Sequence, residues 1–175
     1  MTLSNFNLQP DFLEDEIVKL IPLEENHFEE LYKVASDPLI WEQHPAKDRS
    51  NRDGFKTFFD AGLNSKGAFL ILDKQSNEIM GTTRYYDYNP EKSSVAIGYT
   101  FLSRKYWGGP YNKSTKKLLI DYAFQYVNSI FFHIGAENFR SQKAVLKLGA
   151  KKINVVLTTM NGINISPHFE YELKK

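Results

Sequence analysis

The sequence contains no cysteine. The protein can therefore form no disulfide bond and offers no thiolate for catalysis or metal binding, which fits a cytoplasmic protein. No apolar run approaches the length of about 20 residues that crosses a membrane. The start of the chain, MTLSNFNLQPDFLEDE, lacks the basic and then apolar pattern of a signal peptide. We expect a cytoplasmic protein without a membrane partner.

An excess of charge is also missing. The chain has 22 basic and 21 acidic residues and a net charge of +1, whereas nucleic-acid-binding proteins usually carry a clear basic excess. The histidines show no ligand spacing; they are His27, His44, His133 and His168. The sequence therefore predicts neither a nucleic-acid partner nor a metal site. Its basic residues cluster only locally, which favours a small anionic ligand.

The composition that remains is typical of a folded domain. Among 175 residues, 42% are hydrophobic and 14% are aromatic, which suffices for a core without covalent cross-links. The chain shows no repeat, linker or low-complexity tract. We expect one domain over residues 1–175, with an irregular segment at 1–14, as a monomer or homodimer.

Hydrophobic periodicity predicts the secondary structure. Short apolar or β-rich runs predict strands at 16–23, 67–73, 78–88, 93–102 and 129–136. Helical spacing predicts helices at 25–37, 50–63, about 112–127 and 138–152. The first of these helices starts with a capping-box-like pair, Asn26 and Glu29, and Gly149 stops the last. Residues 41–49 are predicted as a loop, and two strands at 153–159 and 166–175 as a hairpin around Asn161-Gly162. This order of elements predicts a mixed α/β domain.

The stretch RKYWGGPYNKSTKK, residues 104–117, joins a strand to a helix. Two glycines free the backbone, and the first N–H groups of the helix can converge on an anion. Neither nucleotide fingerprint fits, because Asn112 stands where a P-loop needs glycine and G-x-G-x-x-G is absent. Pro110 supplies no N–H. Spacing alone leaves two interpretations open, an anion site or an ordinary turn with a solvated basic face.

Three stretches together resemble the GNAT superfamily of acetyl-CoA-dependent N-acetyltransferases, and most closely its Rim-type branch, which includes ribosomal-protein acetyltransferases. They are IGYTFLSRKYWGGPYN, ENFRSQKAVLKLGA and IVKLIPLEENHFEELYKVASDP. The resemblance covers roughly 15–173. It implies a layered α/β fold with a mostly antiparallel sheet of six to seven strands, splayed between the fourth and fifth, and about four helices.

The resemblance also implies a site for acetyl-CoA, with no metal. The pyrophosphate would lie in the loop that starts at Trp107, on Gly108, Gly109, Tyr111, Asn112 and Lys113. Backbone of Phe101 and Leu102 would pair with the pantetheine arm, Asn138 would bind it, and Ser141 would lie near the sulfur. Pro110 and Asn112 depart from the glycines of the family loop, which affects the choice of amides that hold the pyrophosphate.

Two proton-transfer residues of the family are missing. Val145 stands in place of a tyrosine, and Ala96 in place of a glutamate that many Rim-type proteins carry. Three explanations are open: a water-mediated base such as Glu42, His44 or Glu137, catalysis by positioning alone, or no catalysis. His44 is a candidate because an ordinary imidazole titrates near neutrality.

The acceptor pocket is expected on the far side of the splay. Its candidate lining is Trp41, Glu42, His44, Arg84, Tyr85, Tyr86 and Tyr99. At most one of Tyr85 and Tyr86 can face the acceptor, since neighbours on a strand point to opposite faces. This mixture is aromatic and acidic, which suits a cationic amine. The sequence thus predicts an enzyme that acetylates a primary amine, either a protein N-terminus or a small molecule. The alternative is a non-catalytic acyl-CoA-binding module.

Overall fold

A central sheet of eight strands forms the frame of the molecule. The computed structural model describes residues 5–156, 159–160, 163–164 and 167–175, with the backbone alone for 159–160 and 163–164. The strands of the sheet are β1 (Leu13–Glu14), β2 (Val18–Pro22), β3 (Ala68–Asp73), β4 (Ile79–Asn89), β5 (Ser94–Leu102), β6 (Ser129–Gly135), β7 (Lys151–Val156) and β10 (His168–Lys174). Their order is β1-β2-β3-β4-β5-β6-β10-β7, antiparallel except between β5 and β6. The predicted fold is confirmed, with one strand more than expected because Leu13–Glu14 pairs with β2.

Four α-helices flank the sheet, namely α1 (Phe28–Ala35), α2 (Arg52–Ser65), α3 (Tyr111–Ala123) and α4 (Phe139–Lys147). The capping box of the first lies at Glu24 and His27, ahead of the predicted pair, and opens a 3-10 turn over Glu25–His27. Residues 41–49 were predicted as a loop, but 3-10 turns occupy Pro38–Trp41 and Lys47–Ser50. The last helix ends earlier than predicted, since Gly149 has φ +92° and Lys151 already belongs to β7.

The predicted closing hairpin is formed by β7 and β10, which pair antiparallel. Between them, β8 (Thr159–Met160) pairs with β9 (Ile163–Asn164). The predicted turn residues Asn161 and Gly162 lie outside the described residues.

Two hydrophobic cores cover the two faces of the sheet. The α3-side core packs α3 and α4 onto the sheet through residues such as Val95, Leu119, Phe132, Val145 and Tyr171. The α1–α2-side core is aromatic and includes Trp41, Phe55, Phe58, Phe59 and Phe101. Among the described residues, this core includes none from β6, β7 or β10. No helix within the described part of the chain is long and apolar enough to span a bilayer.

Candidate active site

The sheet splits between β5 and β6. The two strands pair over only three positions, the last being Ala96 with Phe131. Beyond this pair, β5 runs on to Leu102 and β6 to Gly135 without pairing with each other. The split leaves two strand edges facing a gap, where an extended ligand can add main-chain hydrogen bonds.

A bulge in β5 bends the strand at the split. Thr82 pairs with Phe101 and Arg84 with Gly98, so two steps along β4 match three along β5. Tyr99 lies in this extra step with φ +52°, a left-handed conformation that is uncommon outside glycine. Tyr99 is 41% exposed. The bulge therefore both opens the sheet and presents Tyr99 at the opening.

Five unpartnered backbone N–H groups lie at the start of α3. After β5 the chain makes a 3-10 turn over Arg104–Tyr106, and Gly108 then takes φ +73°. Pro110 is the N-cap, and its carbonyl accepts from the Ser114 N–H at 2.9 Å. Five backbone N–H groups in this loop and first turn have no hydrogen-bond partner among the described residues. They belong to Gly108, Gly109, Tyr111, Asn112 and Lys113. These are the residues that the family resemblance assigns to the pyrophosphate, and the structure brings them together at the positive end of a 13-residue helix.

The basic side chains of this stretch are mostly engaged elsewhere. Three form ion pairs with acids, Arg104 with Asp37, Lys105 with Glu78 and Lys117 with Asp121. Lys116 points inward instead, with Nζ 2.6 Å from Thr100 Oγ1, and burial lowers its pKa to about 7. Lys113 has no ion pair among the described residues. The positive field of the loop therefore comes from the helix start and Lys113 rather than from a basic cluster.

Trp107 spans the mouth of the split. Its indole N–H donates to the Leu102 carbonyl at 2.9 Å, and the Arg140 guanidinium lies 4.0 Å from its ring centroid. Arg140 belongs to α4, across the split. Phe101 and Leu102 pair with β4 on one side only. Of the two residues predicted to pair with pantetheine, Leu102 thus already has its carbonyl bonded to Trp107.

Asn138 and Ser141 lie together at the start of α4. Asn138 is the N-cap, and its Oδ1 accepts from the Ser141 N–H at 3.4 Å. The Ser141 hydroxyl has no hydrogen-bond partner among the described residues. Asn138 thus caps α4 through its side-chain oxygen, and its amide nitrogen remains available for a ligand.

A chain of three polar side chains lies where the split begins. Tyr86 Oη is 2.7 Å from His133 Nδ1, and His133 Nε2 is 2.7 Å from Glu170 Oε2. Phe132 and Tyr171, their strand neighbours, belong to the α3-side core, so His133 and Glu170 point to the opposite face. We call Tyr86, His133 and Glu170 the relay. Tyr86 was a candidate from the sequence, but His133 and Glu170 were missed because nothing in their local sequence marks them.

The relay occupies the space beside the missing family glutamate. Ala96 pairs with Tyr86 on β4 and with Phe131 on β6, and Val145 is packed into the α3-side core. A Glu170 carboxylate accepts from Nε2–H, which leaves Nδ1 to accept from the Tyr86 hydroxyl. Burial raises the pKa of Tyr86. Tyr86 is therefore a protonated phenol. Its oxygen can accept a proton from a ligand while the phenol proton passes to His133.

His44 lacks the property for which it was chosen. Its Nδ1 accepts from the Ala46 N–H at 2.9 Å, and Arg49 Nη1 lies 3.5 Å from its Nε2. Burial, followed by the charges of Arg49 and His168, lowers the pKa of His44 to about 3. The imidazole is neutral at physiological pH and a weak base, which removes the argument from an ordinary imidazole pKa.

The predicted acceptor lining is only partly brought together. Arg49, which the sequence did not single out, lies near Trp41, His44 and Tyr99. Trp41 is buried, and its indole N–H donates to the Ala35 carbonyl. Glu42 is exposed.

Tyr85 does not reach this lining. It is fully buried on the other face, where its hydroxyl donates to the Leu119 carbonyl. Beside the predicted aromatic side chains, the structure places Arg49 against the ring of Phe58 and Arg84 against the ring of Tyr99. Arg49 comes from a predicted loop, where a basic residue is usually solvated, so the sequence carried no signal for it.

The fold is shared by many known proteins. One similar structure is a GCN5-related N-acetyltransferase from Brucella melitensis, with a TM-score of 0.80 and 20% identity over 98% of this chain and 84% of that chain. Another is assigned as a ribosomal-protein-serine acetyltransferase from Vibrio cholerae, with a TM-score of 0.73 and 15% identity over 95% and 99%. The microcin C7 self-immunity acetyltransferase MccE, in complex with acetyl-CoA and AMP, has a TM-score of 0.77 and 15% identity over 97% and 99%. No curated protein is significantly similar in sequence.

The sequence itself gives the family. Residues 18–151, which include the bulge, the loop before α3, His133 and the start of α4, match the acetyltransferase (GNAT) domain. This match spans more than half of the 175 residues. The chain therefore belongs to the GNAT family of acetyltransferases.

Proposed function

We propose that this protein transfers an acetyl group from acetyl-CoA to a primary amine, with the relay as the proton acceptor. The observation that carries the proposal is the hydrogen-bonded chain from Tyr86 through His133 to Glu170 at the origin of the split. It supplies a proton path at a site where Ala96 and Val145 replace the two proton-transfer residues usual in the family.

The residues at the start of α3 fit the pyrophosphate of acetyl-CoA. Free N–H groups at a helix start, set on a left-handed glycine, are the donors that phosphate oxygens need. Asn138 would bond the pantetheine arm, and Ser141 would stand near the sulfur. The edge of β5 would offer main-chain groups, once the Trp107 indole releases the Leu102 carbonyl.

Acetyl-CoA supplies the acetyl group: a C–N bond forms as the C–S bond breaks, and the proton that the amine loses balances the one that the CoA thiolate gains. Tyr86 would accept a hydrogen bond from the amine and take its proton while passing its own to His133 Nδ1. Glu170 would stabilise the resulting imidazolium. Such general-base assistance contributes about 10²- to 10⁴-fold to a rate.

The acceptor is either a protein N-terminus or a small amine. The similarity in fold to a protein assigned as a ribosomal-protein-serine acetyltransferase is in line with the first. The second is supported by the partly enclosed aromatic wall around Tyr99 and Phe58. A non-catalytic acyl-CoA-binding module is the second candidate function, favoured by Ala96, by the buried Val145 and by the weak basicity of His44.

A matched pair of variants separates the two functions. Tyr86→Phe removes the first hydroxyl of the relay, whereas Tyr88→Phe removes a hydroxyl from the same strand beside Phe6, in the α3-side core. Thiol release would be measured with an amine panel and N-terminal peptides, together with calorimetric titration of acetyl-CoA. We expect Tyr86→Phe to lower kcat by about 10²-fold, with the affinity for acetyl-CoA unchanged and Tyr88→Phe near wild type.

The opposite outcomes are also informative. Tight binding of acetyl-CoA without thiol release from any amine or peptide would support the binding module. Transfer that proceeds equally well in Tyr86→Phe would remove the relay from the mechanism and leave positioning as the source of catalysis.

A further inference from the structure

Two arginines, one buried and one half-buried, lie beside the relay without a counter-ion among the described residues. Arg84 on β4 is only 7% exposed, its Nε has no hydrogen-bond partner among the described residues, and Nη2 reaches only the Phe58 carbonyl at 3.4 Å. Arg49 lies in the 3-10 turn before α2 and forms no ion pair within the part of the chain that the structure describes. Its neighbour in sequence, Asp48, favours the charge of Arg49 without pairing with it.

The two guanidinium groups flank the same pair of aromatic rings. Arg49 Cζ lies 4.4 Å from the ring centroid of Phe58 and 5.9 Å from that of Tyr99. Arg84 Cζ lies 4.0 Å from Tyr99 and 5.7 Å from Phe58. Burial, and to a smaller extent the charge of Arg84, lowers the pKa of Arg49 to about 10. Two cations in one partly desolvated place destabilise the empty protein and favour an anion.

The two arginines lie next to the relay. The ring of Tyr99, which contacts both arginines, lies 5.0 Å from the ring of Tyr86 at 70°, centroid to centroid. Arg49 keeps partial exposure, whereas Arg84 is closed off behind Tyr99. A ligand entering along the exposed Tyr99 ring would therefore meet Arg49 directly, with the charge of Arg84 behind it.

We propose that the acceptor is a small amine that carries an anionic group, a carboxylate or a phosphate, held by Arg49 and Arg84 while its nitrogen faces Tyr86. This inference rests on the transferase function proposed above. A guanidinium binds either anion through two parallel N–H donors. Only the Tyr99 ring separates the arginines from Tyr86. The anionic group of the acceptor would therefore lie only a few bonds from its reacting nitrogen.

The test measures binding separately from turnover. CoA-saturated protein is titrated with acetate, inorganic phosphate and neutral acetamide. Phenylalanine and phenylalaninamide follow, and then O-phosphoethanolamine and ethanolamine. The signal is tryptophan fluorescence, since the Trp41 ring centroid lies 5.6 Å from Arg49 Cζ. The variants are Arg49→Gln, Arg49→Lys and the control Arg52→Gln, an exposed arginine that pairs with Glu29 on the outer surface.

We expect the anionic ligands to bind at least tenfold more tightly than their neutral partners. Arg49→Gln should abolish that preference, Arg49→Lys should restore part of it, and Arg52→Gln should keep it. The carboxylate and phosphate arms identify which anion is preferred. Folding of each variant is checked by thermal unfolding.

Two results overturn the inference: equal binding of anionic and neutral ligands, or a preference that Arg49→Gln leaves intact. If neutral amines or N-terminal peptides are acetylated equally well by Arg49→Gln, the transferase function stands and the anion site fails. If anions bind through Arg49 but no amine is ever acetylated, the anion site stands and the transferase function fails.

Discussion

The two sides of the split differ in the groups that they offer to a ligand. On the α3 side, the donors are backbone N–H groups from one continuous stretch, residues 108–113. On the opposite face, the groups are side chains from separate segments, with Tyr86 on β4, His133 on β6, Glu170 on β10 and Arg49 before α2. Backbone donors persist when side chains change, whereas a contact made by a side chain is lost when that side chain is replaced. We therefore expect single substitutions to affect catalysis more than acetyl-CoA binding.

The largest expected effect is on the relay. Glu170→Gln removes the charge that stabilises the His133 imidazolium, so kcat should fall by about 10²- to 10⁴-fold, with the affinity for acetyl-CoA unchanged. The control is Glu172→Gln, which changes a carboxylate on the same strand and face that accepts from Ser129 Oγ. Steady-state kinetics and calorimetry on both variants would check this. Equal loss in the two variants would mean that β10 matters for the fold rather than for proton transfer.

The second expected effect is on stability, on the α3 side. Lys116 has a folded pKa of about 7, below its ordinary value of 10.5, because it is buried. The unfolded chain thus binds more protons between these two pH values, and stability rises with pH across that window. Below pH 7 the full cost of burying the ammonium is present. We expect Lys116→Met to stabilise the protein by about 1–3 kcal/mol at pH 6.

Denaturant unfolding from pH 6 to pH 10 would test this expectation. The gain should shrink as the pH rises from 7 towards 10.5, because the folded protein has already lost the Lys116 proton there, and the cost of removing it from the unfolded chain falls to zero near pH 10.5. Lys113→Met, on the exposed side of the same helix start, serves as the control and should show no such pH dependence. A constant difference across the range would mean that burial does not lower the pKa of Lys116, so that the residue binds its proton equally in the folded and unfolded protein.

The smallest expected effect is on acetyl-CoA binding by the backbone N–H groups of the loop before α3. Gly108 has φ +73°, and nothing lies within 4 Å of the position that a Cβ would take. Gly108→Ala therefore adds strain without a clash, about 1–2 kcal/mol, and should weaken acetyl-CoA binding by roughly tenfold or less. Lys113→Ala should weaken it less, because the donor at that position is the backbone. A larger loss in Lys113→Ala would transfer the main role to side-chain charge.

The same contrast explains how much of the site the sequence predicts. The loop before α3 is contiguous, so its glycines, its proline and the following helix could be recognised in one stretch of sequence. The relay joins residues 47 and 37 positions apart. His133 and Glu170 looked like ordinary polar positions on strands. Only the register of β6 with β10 brings them together, and a single sequence does not contain that register.

The fold follows the same division. Strands and helices with a clear period were predicted within a few residues, whereas the split between the fourth and fifth predicted strands was implied by the resemblance to the GNAT superfamily. The short strand at Leu13–Glu14 was missed because two residues carry no period; it exists through pairing with β2. The 3-10 turn at Lys47–Ser50, which leads to Arg49, was missed for the same reason.

The contact between Trp107 and Arg140 has a consequence for the rate at which ligand enters. An exposed cation–π contact contributes about 0.5–1 kcal/mol, which favours the closed mouth over an open one by only about two- to fivefold. Side chains at a surface exchange rotamers within nanoseconds. Acetyl-CoA would therefore meet an open mouth in a large share of encounters, and its association would be limited by diffusion and orientation rather than by waiting for Arg140 to leave.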